Sequence, residues 1–103
     1  MDIDADELLI ELDRIEATFD EAERRAGQGC GPDFERRLGA HLRSLRTMLG
    51  PDELSVAEDA MEAAERAMNA AEPEVPLRML AMSRERLAAL FRRLANGRLR
   101  SAA

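Results

Sequence analysis

Lysine, tyrosine and tryptophan are absent from this 103-residue chain, and cysteine and histidine occur once each. A single thiol excludes an internal disulfide. One imidazole excludes the paired Glu-x-x-His ligands of helical di-metal centres, and no zinc spacing, Ser-His-Asp set or Cys-His set can be assembled. We therefore expect no metal and no cofactor. Three phenylalanines are the only aromatic rings, which removes most platforms for stacking bases. Two valines and three isoleucines are too few to argue for a sheet. No apolar run approaches the about 18 residues of a membrane span, and no charged-then-apolar leader is seen. The expectation is a cytoplasmic protein with neither membrane nor nucleic acid as partner.

What the chain has is alanine, leucine, methionine and charge. Net charge is −6, with all fifteen basic side chains arginine. The charge alternates along four amphipathic segments. Residues 2–26 carry ten acids and three arginines, and residues 33–49 carry two acids and four arginines. Residues 52–72 carry seven acids and one arginine, and residues 77–100 carry one acid and seven arginines. In an antiparallel up-down bundle each helix lies beside its sequence neighbours, and the fourth lies beside the first. Alternating sign then sets opposite charges along every lateral seam.

The periodicity agrees with four helices. Leu8, Leu12, Ile15, Phe19, Ala22 and Ala26 recur at four and three. Asp4 with Glu7 has capping-box spacing, and Ile3 with Leu8 fits a hydrophobic staple. Phe34, Leu38, Leu42, Leu45 and Leu49 form a second stripe. Leu54, Met61 and Met68 with Ala57, Ala64 and Ala71 form a third, and Leu77, Leu80, Leu87, Leu90, Phe91 and Leu94 a fourth. Gly27, Gly50 and Asn96-Gly97 read as stops, and Pro32, Pro51 and Pro76 as starts. These signals predict helices near 4–26, 32–49, 51–72 and 76–96. They form one all-α domain over 1–97, with a disordered tail at 98–103.

Candidate functional residues are few. Ile10 falls nearly opposite the first seam, and with Leu9 or the third-segment methionines it would suit a partner helix or a second copy. Cys30 lies in the Gly27–Pro32 loop, which reads as a hinge. It is a candidate redox-sensitive thiol or a dimer-linking disulfide, with the start of the second helix nearby.

The remaining candidates surround His41. The run Leu38-Gly39-Ala40-His41-Leu42-Arg43-Ser44, continuing to Leu49-Gly50, resembles the phosphoacceptor helix of histidine-phosphotransfer domains. Those read roughly Ala-His-x-Leu-Lys-Gly, followed by a Leu-Gly pair. Leu54, Ala57, Met61 and Glu62 extend the likeness, which covers about residues 8–70. Ser44 and Leu45 stand where the family has a basic residue and a glycine. The resemblance implies a helical bundle that docks a receiver or kinase domain in bacterial two-component signalling. His41 would be the phosphoacceptor, and Arg43, Ser44 and Arg37 would lie on the docking surface. On a helical wheel His41 falls about 70° from the centre of its helix's apolar stripe, which predicts a half-covered ring. The function expected is non-enzymatic protein binding. It takes one of two forms: such a docking module, or an adaptor, chaperone or assembly factor that holds a partner helix.

Overall fold

Apolar residues at helical spacing build four helices: α1 (Ala5–Arg24), α2 (Pro32–Arg46), α3 (Pro51–Asn69) and α4 (Glu74–Ala102). The structure, a computed structural model, describes the backbone of residues 5–102 and the side chains of residues 5–97. The capping residues expected at Ile3 and Asp4 lie outside the described residues. The helices form an antiparallel four-helix bundle with extents of 49 × 23 × 21 Å, its long axis set by the 29-residue α4.

The helix ends follow from local chemistry. Gly31 and Gly50 hold extended backbone ahead of Pro32 and Pro51, where a missing N–H leaves no bond unmade. Glu53 accepts the Gly50 N–H at 2.9 Å, which is the carboxylate half of a capping box. The end of α2 falls at Arg46, three residues short of the expected position. The chain then tightens into a turn in which Thr47 and Met48 donate to the Ser44 and Leu45 carbonyls. At the other end of the chain, α4 begins at Glu74, with Pro76 inside its first turn, where no intrahelical donor is required.

Two expectations are corrected. Asn96-Gly97 does not stop α4, which continues to Ala102. Gly97 does not take a positive φ, and a lone glycine costs a helix only about 1 kcal/mol against alanine. No proline follows it. The backbone over 98–102 is thus helical, while the side chains of 98–103 lie outside the described residues. Nor is the α1–α2 loop a hinge. Gly27 and Gly29, at φ of 82° and 92°, turn the chain so that their N–H groups donate to the Ala67 and Met68 carbonyls at 2.9 and 2.7 Å. Beside them the Cys30 N–H donates to Asn69 Oδ1 at 2.8 Å. The loop therefore satisfies carbonyls that the end of α3 leaves without partners.

One continuous core runs through the bundle, with Phe19, Phe91, Leu8, Ile15, Leu45, Met68, Leu80 and Leu87 fully buried. Buried Ala57, Ala60, Ala63, Ala64 and Ala67 give α3 a low surface against which its neighbours pack closely. The closest packing joins α3 to α4 and α1 to α4, and α1 also meets α3 directly. Helix α2 reaches α1 and α3 but not α4. The bundle is thus a three-helix core with α2 laid along it.

The charge seams form on the two flanks of α1. Arg37 of α2 grips Glu21 with both terminal guanidinium nitrogens, one at 3.1 Å. From α4, Arg84 reaches Asp20 at 2.9 Å and Glu23 at 2.8 Å, with its guanidinium 5.6 Å from the Phe19 ring centre. The expected seams beside α3 are not built that way. Its lone Arg66 pairs within the helix with Glu62, and Arg36 of α2 pairs with its own Asp33. Asp59 and Glu62 of α3 border the space between α3 and α4, yet among the described residues neither pairs with an α4 arginine.

Candidate functional site

Three residues from two helices meet where α2 crosses α1. His41 Nε2 lies 2.8 Å from the Thr18 hydroxyl, and Nδ1 lies 3.6 Å from Glu11 Oε1. Glu11 and Thr18 are only 5% and 4% exposed, and the His41 side chain is 14% exposed. Nε2 and the Thr18 hydroxyl share a hydrogen bond, Nδ1 faces the carboxylate at ion-pair distance, and the Thr18 hydroxyl also lies 3.4 Å from the Arg14 carbonyl. Arg14 adds a cation 3.6 Å from Glu11. Burial pushes the imidazole below its ordinary pKa. Glu11 pulls it up, while Arg37 and Arg14 add to the depression.

Carboxylate, imidazole and hydroxyl in series have the connectivity of an acid–base–nucleophile set. Here the hydroxyl and the carboxylate are both sealed in the core, so a substrate has no approach to them. A phosphoacceptor also needs a ring nitrogen open to its donor, whereas both nitrogens of His41 already have protein partners. Sequence reasoning placed His41 at the seam and missed Glu11 and Thr18. A signal was present. Glu11 and Thr18 sit seven apart on one side of α1, both just beyond Ala22 at the edge of its apolar arc.

Among the described residues the other expected α2 residues make no hydrogen bond to His41, although the Arg37 charge reaches it. Arg37 is held on Glu21 and lies over the Phe34 ring at 5.3 Å; its hydrogen bond holds the Glu21 carboxyl below the usual range against the opposing effect of burial. The carbonyl of Ser44 accepts the Thr47 hydroxyl at 2.7 Å. Arg43 is exposed, about 200° round the helix from His41 and beside Gly39. Cys30 is half-buried, and burial, with Glu35 and Glu65 nearby, pushes its thiol pKa up. That shift suppresses the thiolate that a redox-sensitive site needs. Among the described residues no three histidine, cysteine or carboxylate side chains converge as metal ligands.

The apolar surface lies elsewhere. Ile10 is half-exposed, as expected, and Leu9 partly so. The α3 methionines, whose spacing reads first as core and only alternatively as a docking surface, are core: Met61 and Met68 are buried. The exposed methionines belong to α4. Val75, Met79 and Met82 are 59%, 51% and 63% exposed. They flank a groove of about 480 Å³ between α3 and α4, floored by Ala63 and Pro76 and edged by Asp59 and Arg86. Sequence reasoning missed this stripe because α4 was read only for its Leu/Phe face. The 75, 79, 82 spacing was its signal.

Fold and surface together define an all-α bundle with an unpartnered apolar helix face. Among known proteins the chain matches no family model, no curated protein and no solved structure. No described helix is long and apolar enough to cross a membrane.

Proposed function

We propose that this chain is a non-enzymatic protein-interaction module that holds a partner helix along the α3–α4 groove. One observation carries the reading: Val75, Met79 and Met82 stand in a row on α4 with more than half of each side chain in water. Unbranched methionines fit varied apolar surfaces, and helix-in-groove recognition uses residues at this spacing. The form suggested by the histidine-phosphotransfer likeness is a cytoplasmic bacterial module that docks a receiver or kinase domain with no phosphoryl group on His41. Burial of the His41 ring supports docking over relay.

The test is a photo-crosslinking residue at position 79, compared with one at position 24, in the cells that make the protein. Position 79 should give protein adducts well above position 24, and equal yields would sink the reading. Incubation with a phosphorylated receiver should leave His41 unlabelled. A label lost in His41→Gln would restore the relay.

A further inference from the structure

The exposed face of α4 has a pattern of its own. Val75, Met79, Met82 and Arg86 are spaced four, three and four, the seam of a short coiled coil. They lie about 140° round the helix from the core-facing Leu80, Leu87 and Phe91, so α4 is apolar on two sides. The charges beside the outer seam are mixed. Arg78 and Glu85 flank it on one side, both exposed, and among the described residues neither has an ion-pair partner. Glu85 is the only acid between residues 77 and 100. On the groove side the flanking positions are Pro76 and Ser83, small and uncharged.

We propose that the occupant of this face is a second copy of the chain, paired through antiparallel α4 helices about a twofold axis between residues 79 and 82. This rests on the docking reading above and names its partner. An isologous interface has to be self-complementary, and this register is. Met79 of one copy meets Met82 of the other. Val75 meets the aliphatic stem of Arg86, whose head lies toward Glu74. Arg78 of each copy faces Glu85 of the other, giving two opposite-charge pairs. A uniformly basic or acidic helix would leave either Arg78 or Glu85 facing its own sign, which opposes that choice of partner.

Sedimentation of the full chain tests this directly. The wild-type protein should sediment at twice the 11.5 kDa chain mass. Met82→Arg should raise the dimer dissociation constant at least tenfold while far-UV circular dichroism stays unchanged, because the residue is outside the core. Glu85→Arg should weaken the dimer and Arg78→Glu in the same chain should restore it, a rescue that general misfolding would not give. A wild-type monomer at millimolar concentration overturns the pairing, as does a dimer indifferent to both Met82→Arg and Glu85→Arg. If the wild type is monomeric yet position 79 still crosslinks to a foreign protein, the self-pairing fails and the docking function stands.

Discussion

At the scale of single residues, the polar group buried between α1 and α2 is where stability and acidity meet. His41→Ala removes the imidazole and leaves the Glu11 carboxylate and the Thr18 hydroxyl in a place that water barely reaches. Leaving such groups short of a partner costs about 1–3 kcal/mol, and urea unfolding should show that loss. Replacing all three residues together (Glu11→Leu, Thr18→Val, His41→Leu) should stay within about 1 kcal/mol of wild type, because no polar group is then stranded. The same network predicts a pH response. Burial sets the His41 pKa in the folded chain below the ordinary value of 6.5, so the unfolded chain binds more protons in that window. Stability should be full above about 6.5, fall as the pH drops below it, and level off once the folded imidazole is protonated. His41→Leu should flatten that slope; an unchanged slope would place the titration on another group.

At the scale of elements, glycine means different things at different positions. Gly27 holds φ of 82° with space for a Cβ only 3.4 Å from the Ala70 carbonyl. Gly27→Ala should therefore lower stability by about 1–2 kcal/mol. Gly97 lies within α4, and a Cβ there meets nothing within 4 Å. Gly97→Ala should raise stability by about 0.5–1 kcal/mol. Thermal unfolding of the two variants should move in opposite directions, and a fall for Gly97→Ala would contradict an α4 that runs to Ala102. This contrast shows what was legible in the sequence. Element number, type and core faces follow from apolar spacing, which local backbone geometry converts directly into a buried stripe. Stops are less legible, because Asn96-Gly97 and Gly27 look alike until tertiary contacts decide. Gly27 is turned to a positive φ by its bond to the Ala67 carbonyl, and Gly97 does not take one. The candidate site was read less well for a related reason. His41 was visible, but its partners come from another helix, and the outer seam of α4 was masked by the stronger inner one.

At the scale of the whole molecule, the unequal packing of the four helices decides which part opens first. Helices α1, α3 and α4 share direct contacts, and Arg84 locks α1 to α4 through Asp20 and Glu23. In contrast α2 buries only Phe34, Leu38 and Leu45 within its length and never reaches α4. Much of its hold on α1 is polar, through Arg37–Glu21 on the surface and the His41 network beneath. Exposed ion pairs contribute only about 0–1 kcal/mol each, so α2 can detach at a smaller free energy than the core requires. Native-state hydrogen exchange should show amides in the middle of α2 opening below the global unfolding energy, with those of α3 and α4 at it. Arg37→Ala should lower the α2 opening energy while leaving α3 unchanged relative to its own global value. The α1–α2 loop shapes the same event: its bonds to the Ala67 and Met68 carbonyls keep one end of α2 tethered to α3, so detachment should start from the Arg46 end. If α2 and α3 amides instead share one opening energy, the four helices unfold as a single unit, and the division into a three-helix core and an applied α2 fails.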